Sequence, residues 1–216
     1  MIIEVEKLHT AYTVLSQVQL LIDNQAVIAG GYATGLCLGY TSGRSDVDVY
    51  FRCSDITAEM DNADFEGQGR TRIAAARIQA AFPEEKLIPA KPEQYQYMYS
   101  TKRVGHIKKN GVTFDFHVMP TAMTLNKLFD TFDLSLSQAA LRHTGIADSV
   151  CLHVSKAFTH TKATGELFVY KNMLRSSRPD EAQYQLTLER LEKYQTRFGK
   201  IIQKVTTISH TDKKVL

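Results

Sequence analysis

A glycine pair and an aspartate pair carry the residue types best suited to chemistry in this chain. Gly30-Gly31 ends an apolar run, and Asp46 and Asp48 alternate with Val47 and later apolar residues. In a strand, successive side chains point to opposite faces, so both carboxylates would project from one face. Neighbouring carboxylates repel one another unless a cation lies between them, and Mg²⁺ prefers such oxygen ligands. The aspartate pair therefore predicts a site for Mg²⁺ or Mn²⁺.

A third acid, Asp115, lies in a later segment with clean alternation. Residues 112–119 place apolar side chains on one face, with Asp115 and His117 on the other. The preceding Asn110-Gly111 is a strong hairpin signal, and residues 103–109 supply an antiparallel partner. We expect the hairpin to present Asp115 beside the aspartate pair. The alternative is an ordinary polar residue on a solvent-facing strand.

The glycine pair is suited to holding phosphate groups. Without a Cβ atom, Gly30 and Gly31 can take positive φ and let a triphosphate approach the backbone, with the N–H groups of a following helix aimed at the anion. Arg44, just before the aspartate pair, would either bind a phosphate or remain a solvated loop residue. Basic side chains of the hairpin, Arg103 among them, would either hold an RNA strand with nearby tyrosines or simply be exposed charge.

Together, the glycine turn, the aspartate pair and the later Asp115 resemble the pattern of the DNA polymerase β-type nucleotidyltransferase superfamily. The stretch GGYATGLCLGYTSGRSDVDVYF is similar in texture to the head domain of CCA-adding enzymes and poly(A) polymerases, and to small bacterial and phage nucleotidyltransferases. The resemblance implies an α+β fold with a mixed central sheet flanked by helices. Thr34-Gly35 stands where the CCA-adding pattern has Arg-Asp, which leaves the acceptor open.

The resemblance also implies a reaction. Asp46, Asp48 and Asp115 would hold two Mg²⁺ or Mn²⁺ ions, while Ser45 and the glycine backbone would contact a nucleoside triphosphate. The enzyme would move a nucleoside monophosphate to an acceptor hydroxyl, with an RNA or tRNA end favoured, and release pyrophosphate. Two alternatives stay open: a catalytically silent nucleotide- or RNA-binding module, and a toxin or defence enzyme that modifies tRNA or protein.

The composition is compatible with a nucleotidyltransferase and excludes few other classes of protein. The chain has 216 residues, 44% of them hydrophobic, and a net charge of +3, which is too weak to indicate nucleic-acid binding by itself. Three cysteines without metal-ligand spacing favour a reducing cytoplasm, and no apolar run is long enough to predict a membrane span. We expect a catalytic core over residues 1–150 and a mostly helical extension over residues 151–216, packed on the core. The oligomeric state is not predicted.

Periodicity and helix-stop residues predict the remaining elements. We expect an N-terminal helix before a first strand at residues 26–29, helices over residues 70–82 and 121–129, a strand over residues 134–141, and a last helix that starts near Pro179 and stops at Gly199.

Overall fold

The computed structural model describes residues 2–40, 46–53, 68–91, 101–144, 150–171 and 180–209. Within them, the α-helices are Ile2–Leu21 (α1), Gly31–Cys37 (α2), Gln68–Ala81 (α3), Leu125–Asp130 (α4), Lys156–Thr164 (α5) and Asp180–Phe198 (α6). The strands are Val27–Ala29 (β1), Val47–Phe51 (β2), Ile88–Pro89 (β3), Lys102–Lys109 (β4), Val112–Val118 (β5), Ala139–His143 (β6), Val150–Val154 (β7), Glu166–Lys171 (β8) and Lys204–Ser209 (β9).

Strands β1 to β7 form one mixed sheet in the order β3-β4-β5-β2-β1-β6-β7. The central pair β2 and β5 is parallel, and the other neighbours are antiparallel. The predicted α+β fold, a mixed central sheet flanked by helices, is confirmed. No helix of the described residues is long and apolar enough to cross a membrane.

The two faces of the sheet differ in chemistry. On one face, apolar side chains of β2 and β5 such as Val49 and Phe116 join a large core with α1, α3 and α6. On the other face, a smaller apolar cluster around Tyr50 packs against α4, and the polar positions of β2 and β5 lie beside it. Alternation along each strand thus puts a rigid core directly behind the polar face.

The predicted hairpin is present. Asn110 and Gly111 both have positive φ, 49° and 75°, as a two-residue turn between twisted antiparallel strands requires. The turn sets the start of the register, with Lys109 opposite Val112. Further along, a β-bulge between Arg103 and Gly105 shifts the pairing by one residue.

The C-terminal part contains strands in addition to the predicted helices. Strand β7 joins the main sheet beside β6, and β8 and β9 form a separate two-stranded parallel sheet. A strand as short as Val150–Val154 shows little periodicity in the sequence, so the strands of this part were not predicted. Helices α5 and α6 are the helical elements among the described residues of this part, and Phe198 of α6 belongs to the main core.

Residues 134–141 are also not a single strand. A short 3-10 turn covers Ser135–Ser137 before β6 begins at Ala139. The Ser135 hydroxyl accepts from the backbone N–H of Phe168 and pairs with the hydroxyl of Thr161 at 2.7 Å. These long-range bonds connect the turn to α5 and β8.

Candidate active site

Asp48 and Asp115 lie directly opposite each other on the parallel strands β2 and β5. Neighbouring strands are about 4.8 Å apart, so the two side chains emerge from the same face at that spacing. The Asp115 side chain is nearly buried, with 9% exposed, whereas 33% of the Asp48 side chain is exposed. The site is therefore a carboxylate pair that is open to solvent on the Asp48 side.

Asp46 lies just before β2 and is exposed. Its pKa is raised from the ordinary value, first by partial burial and then by the negative charges of Asp115 and Asp48; Arg103 and His106 oppose the shift. The three carboxylates therefore interact electrostatically, and the charges of Asp48 and Asp115 make ionisation of Asp46 less favourable. Arg44 and Ser45, the remaining predicted phosphate contacts before β2, lie outside the described residues.

The glycine turn connects β1 to α2, next to Asp48. Gly30 has φ 81° and ψ −144°, a conformation that essentially only glycine adopts. A Cβ atom on Gly30 would lie 3.5 Å from Oδ2 of Asp48. The missing side chain thus leaves open space beside that oxygen.

Gly31 corrects one expectation. It does not have positive φ, and it is the first residue of α2. A Cβ there would lie 3.6 Å from the Tyr194 hydroxyl and 3.9 Å from Nη1 of Arg197, both on α6. Because the turn needs only one reversed residue to enter the helix, Gly30 alone takes the unusual conformation, and Gly31 faces α6.

Each carboxylate of the opposed pair is held by a partner from the next strand. Arg103 on β4 donates from Nε and Nη2 to Oδ1 of Asp115, at 3.0 and 2.5 Å. His117 on β5 lies with Nε2 3.3 Å from Oδ1 of Asp48. In the sequence, Arg103 is interpreted as a basic side chain of the hairpin and His117 as a residue on the same face as Asp115. Neither residue is assigned a carboxylate partner there.

Helix α6 adds charged groups that the sequence analysis missed. Arg190 donates from Nη1 to the buried Asp133, which also accepts from the Thr187 hydroxyl at 2.9 Å. Burial raises the pKa of the nearby Tyr50 well above the ordinary value, with a further contribution from the charge of Asp48, while Arg190 opposes it. The signal available in the sequence was the apolar stripe of α6, which fixes its buried face but not which polar residues flank it.

The donors present fit a hard divalent cation. Asp48 and Asp115 supply oxygen ligands at adjacent positions, and the space that a Gly30 side chain would fill opens on Oδ2 of Asp48. No cluster of three or more His, Cys, Asp or Glu side chains suited to enclosing a metal occurs among the described residues. Mg²⁺ commonly binds through one or two carboxylates, with water and substrate phosphates completing its shell, so a partial set is what such an ion needs.

Comparisons with known proteins support the fold and leave the family open. No protein-family model matches the chain, and no curated protein matches it in sequence. Among solved structures, it is similar to a tRNA-processing enzyme in its apo form, with a TM-score of 0.52 and 14% identity over 96% of this chain and 45% of the other. A tRNA nucleotidyltransferase in complex with a primer tRNA and an ATP analogue gives a TM-score of 0.44 and 16% identity, over 88% of this chain and 45% of the other. The chain spans less than half the length of either neighbour.

Proposed function

We propose that this protein is a metal-dependent nucleotidyltransferase that moves a nucleoside monophosphate from a nucleoside triphosphate to an acceptor hydroxyl and releases pyrophosphate. One observation carries the proposal: Asp48 and Asp115 are directly opposed on parallel strands beside the reversed backbone of Gly30. The α+β fold shared with a tRNA-processing enzyme supports it. A carboxylate pair next to open backbone suits a substrate that brings both metal and phosphate.

Each residue has a distinct part in this proposal. Asp46, Asp48 and Asp115 would hold Mg²⁺ or Mn²⁺, two ions in all, and Gly30 leaves room for the triphosphate. When bound, the ions would neutralise phosphate charge and lower the pKa of the acceptor hydroxyl. The hydroxyl loses its proton to solvent as its oxygen bonds to the α-phosphorus, the bond from that phosphorus to the bridging oxygen breaks, and pyrophosphate leaves with the electron pair. The core behind β2 and β5 fixes the carboxylates, so positioning supplies much of the rate.

The phosphate and acceptor contacts extend the proposal beyond the described site. Arg44, Ser45 and the backbone N–H of Gly31 are proposed to contact phosphate oxygens. We propose an RNA end, with tRNA favoured, as the acceptor, because the similar apo structure is a tRNA-processing enzyme. A toxin or defence activity on tRNA or protein would use the same chemistry and differ only in acceptor. The cytoplasmic location stays a prediction.

Nucleotide binding without transfer is a second candidate, and one observation favours it. Asp115 accepts two hydrogen bonds from Arg103, which is the arrangement expected if its charge served only to anchor the hairpin. A carboxylate neutralised in this way binds a cation less strongly. The two candidates differ in whether the charge of Asp115 is needed for transfer.

Substitution of Asp115 and Asp48 by asparagine separates the two candidates. We expect Asp115→Asn to keep binding of a triphosphate with Mg²⁺ but to lose transfer by several orders of magnitude, since electrostatic stabilisation by a metal is removed. Asp48→Asn should lose both. Each variant is incubated with labelled triphosphates, Mn²⁺ or Mg²⁺ and total RNA, and binding is measured by calorimetry. Transfer by Asp115→Asn at the wild-type rate would exclude the three-carboxylate mechanism, and binding without any transfer by the wild type would favour the second candidate.

A further inference from the structure

The polar face of the sheet carries an ordered array that the proposed chemistry leaves partly unexplained. Asp48 and Tyr50 on β2 lie opposite Asp115 and His117 on β5, and Arg103 on β4 lies opposite His117. The polar contacts run along diagonals: His117 reaches Asp48, and Arg103 reaches Asp115. Asp48 and Asp115 are therefore each paired with a donor on the neighbouring strand, two register positions away from the directly opposite residue.

His117 has a buried ring, and its polar contact is with Asp48. It is 5% exposed, and its ring stacks on Tyr50 with centroids 4.8 Å apart and an interplanar angle of 18°. Nδ1 is buried and has no hydrogen-bond partner among the described residues. Here the polar contact of the ring is directed to a single carboxylate.

The contact also distinguishes the two oxygens of Asp48. A carboxylate can only accept, so Nε2 of His117 donates to Oδ1. Oδ2 is the oxygen that lies beside Gly30, where no side chain fills the space. The histidine bond thus sets the rotation of the carboxylate and turns its other oxygen toward the open side of the site.

We propose that His117 is a positioning residue that orients Asp48 for metal binding, with Oδ2 as the metal-facing oxygen. This rests on the proposed nucleotidyltransferase function, and it assigns to His117 a role separate from contact with substrate. Hydrogen-bond partners of metal ligands fix ligand orientation, and their loss commonly weakens metal affinity or activity by about 10- to 100-fold.

Two substitutions test the role of Nε2 separately from the loss of the ring. The amide nitrogen of glutamine can reach the position of Nε2, whereas that of asparagine reaches only the position of Nδ1. Both His117→Gln and His117→Asn remove the stacking on Tyr50, so a difference between them reports the bond to Asp48. Thermal unfolding of both variants measures the shared cost of the lost ring.

The readout is Mn²⁺ affinity of the full chain without nucleotide, measured by the free-ion signal in electron paramagnetic resonance. We expect His117→Asn to bind Mn²⁺ about 10- to 100-fold more weakly than the wild type, and His117→Gln to remain much closer to wild type. Equal affinities of the two variants, or wild-type affinity in His117→Asn, would overturn the positioning role while leaving the proposed function intact. A wild-type protein that binds no Mn²⁺, either alone or with a non-hydrolysable triphosphate analogue present, would remove the metal assignment and this inference with it.

Discussion

The conformation of Gly30 allows a sharp prediction about one methyl group. Gly30→Ala introduces a Cβ at φ 81° and ψ −144°, a backbone conformation that residues with a side chain rarely adopt. The added atom would be in ordinary contact with Oδ2 of Asp48 at 3.5 Å. The loss of stability in Gly30→Ala therefore comes mainly from backbone strain and not from steric overlap.

The magnitude follows from that strain. A non-glycine residue in such a region costs about 1–3 kcal/mol, which for a chain of this length lowers the melting temperature by about 2–12 °C. The methyl group also occupies the space beside the candidate metal-facing oxygen. We expect binding of a triphosphate with Mg²⁺ to weaken by at least about tenfold, as changes next to a metal ligand usually do.

Gly31→Ala is the matched control. Gly31 has no positive φ, and its added Cβ would meet α6 at 3.6 Å and 3.9 Å, which are ordinary contacts. The backbone N–H is kept, and alanine is the better helix former by up to about 1 kcal/mol. Both variants are followed by urea unfolding and by calorimetric titration with each nucleoside triphosphate and Mg²⁺.

The comparison can fail in two ways. If Gly30→Ala is as stable as Gly31→Ala, the reversed backbone at Gly30 is not a real constraint. If Gly30→Ala loses stability but binds the triphosphate with wild-type affinity, the space beside Asp48 is not where substrate or metal enters.

Three further outcomes are expected. Asp46→Asn should raise the melting temperature of the metal-free protein at neutral pH, because the raised pKa of Asp46 means that its ionised form destabilises the fold. The gain should shrink as pH falls through the raised pKa and vanish below about 3.8, the ordinary value, where both states are protonated; a gain that persists there would refute the electrostatic cause. Phe198→Ala should cost about 3–5 kcal/mol in a single urea transition, since the ring is fully buried and meets Tyr40 edge-on at 5.2 Å; two transitions would mean that α6 unfolds independently. Arg190→Met should lower the free energy of unfolding more than Asp133→Asn, because it leaves a carboxylate of 7% exposure without its charge partner, whereas the arginine side chain is 41% exposed and can reach water. Equal losses of stability by calorimetry would contradict this.

Local patterns in the sequence predicted most elements near the site. Alternation identified β2 and β5, and the turn residues Asn110-Gly111 identified the hairpin. The period and stop residues placed α6, which runs from Asp180 to Phe198. These predictions succeeded because each depends on neighbours in the chain, where side-chain periodicity directly reflects which face is buried. Strand β7 was not predicted and residues 134–141 were wrongly predicted as one strand, because segments this short show little periodicity.

The partners of the carboxylates needed the tertiary structure. Counting back from the hairpin turn places Val104 opposite His117 and sends Arg103 to the other face. The β-bulge between Arg103 and Gly105 reverses this: Arg103 lies opposite His117 and bonds to Asp115, while Val104 is buried. A bulge inserts one residue into a strand, so every side chain beyond it, counted from the hairpin turn, moves to the opposite face of the sheet.

The sequence by itself determined the chemical types at the site and their spacing along single strands. Alternation, a property of one strand, placed Asp46 and Asp48 on one face at the start of β2 and Asp115 on β5. The structure decided that β2 and β5 run side by side in parallel with Asp48 opposite Asp115, since strand order depends on burying both faces of the whole sheet. It also decided that Gly30, and not Gly31, takes the reversed conformation, because that depends on where the chain must turn from β1 into α2.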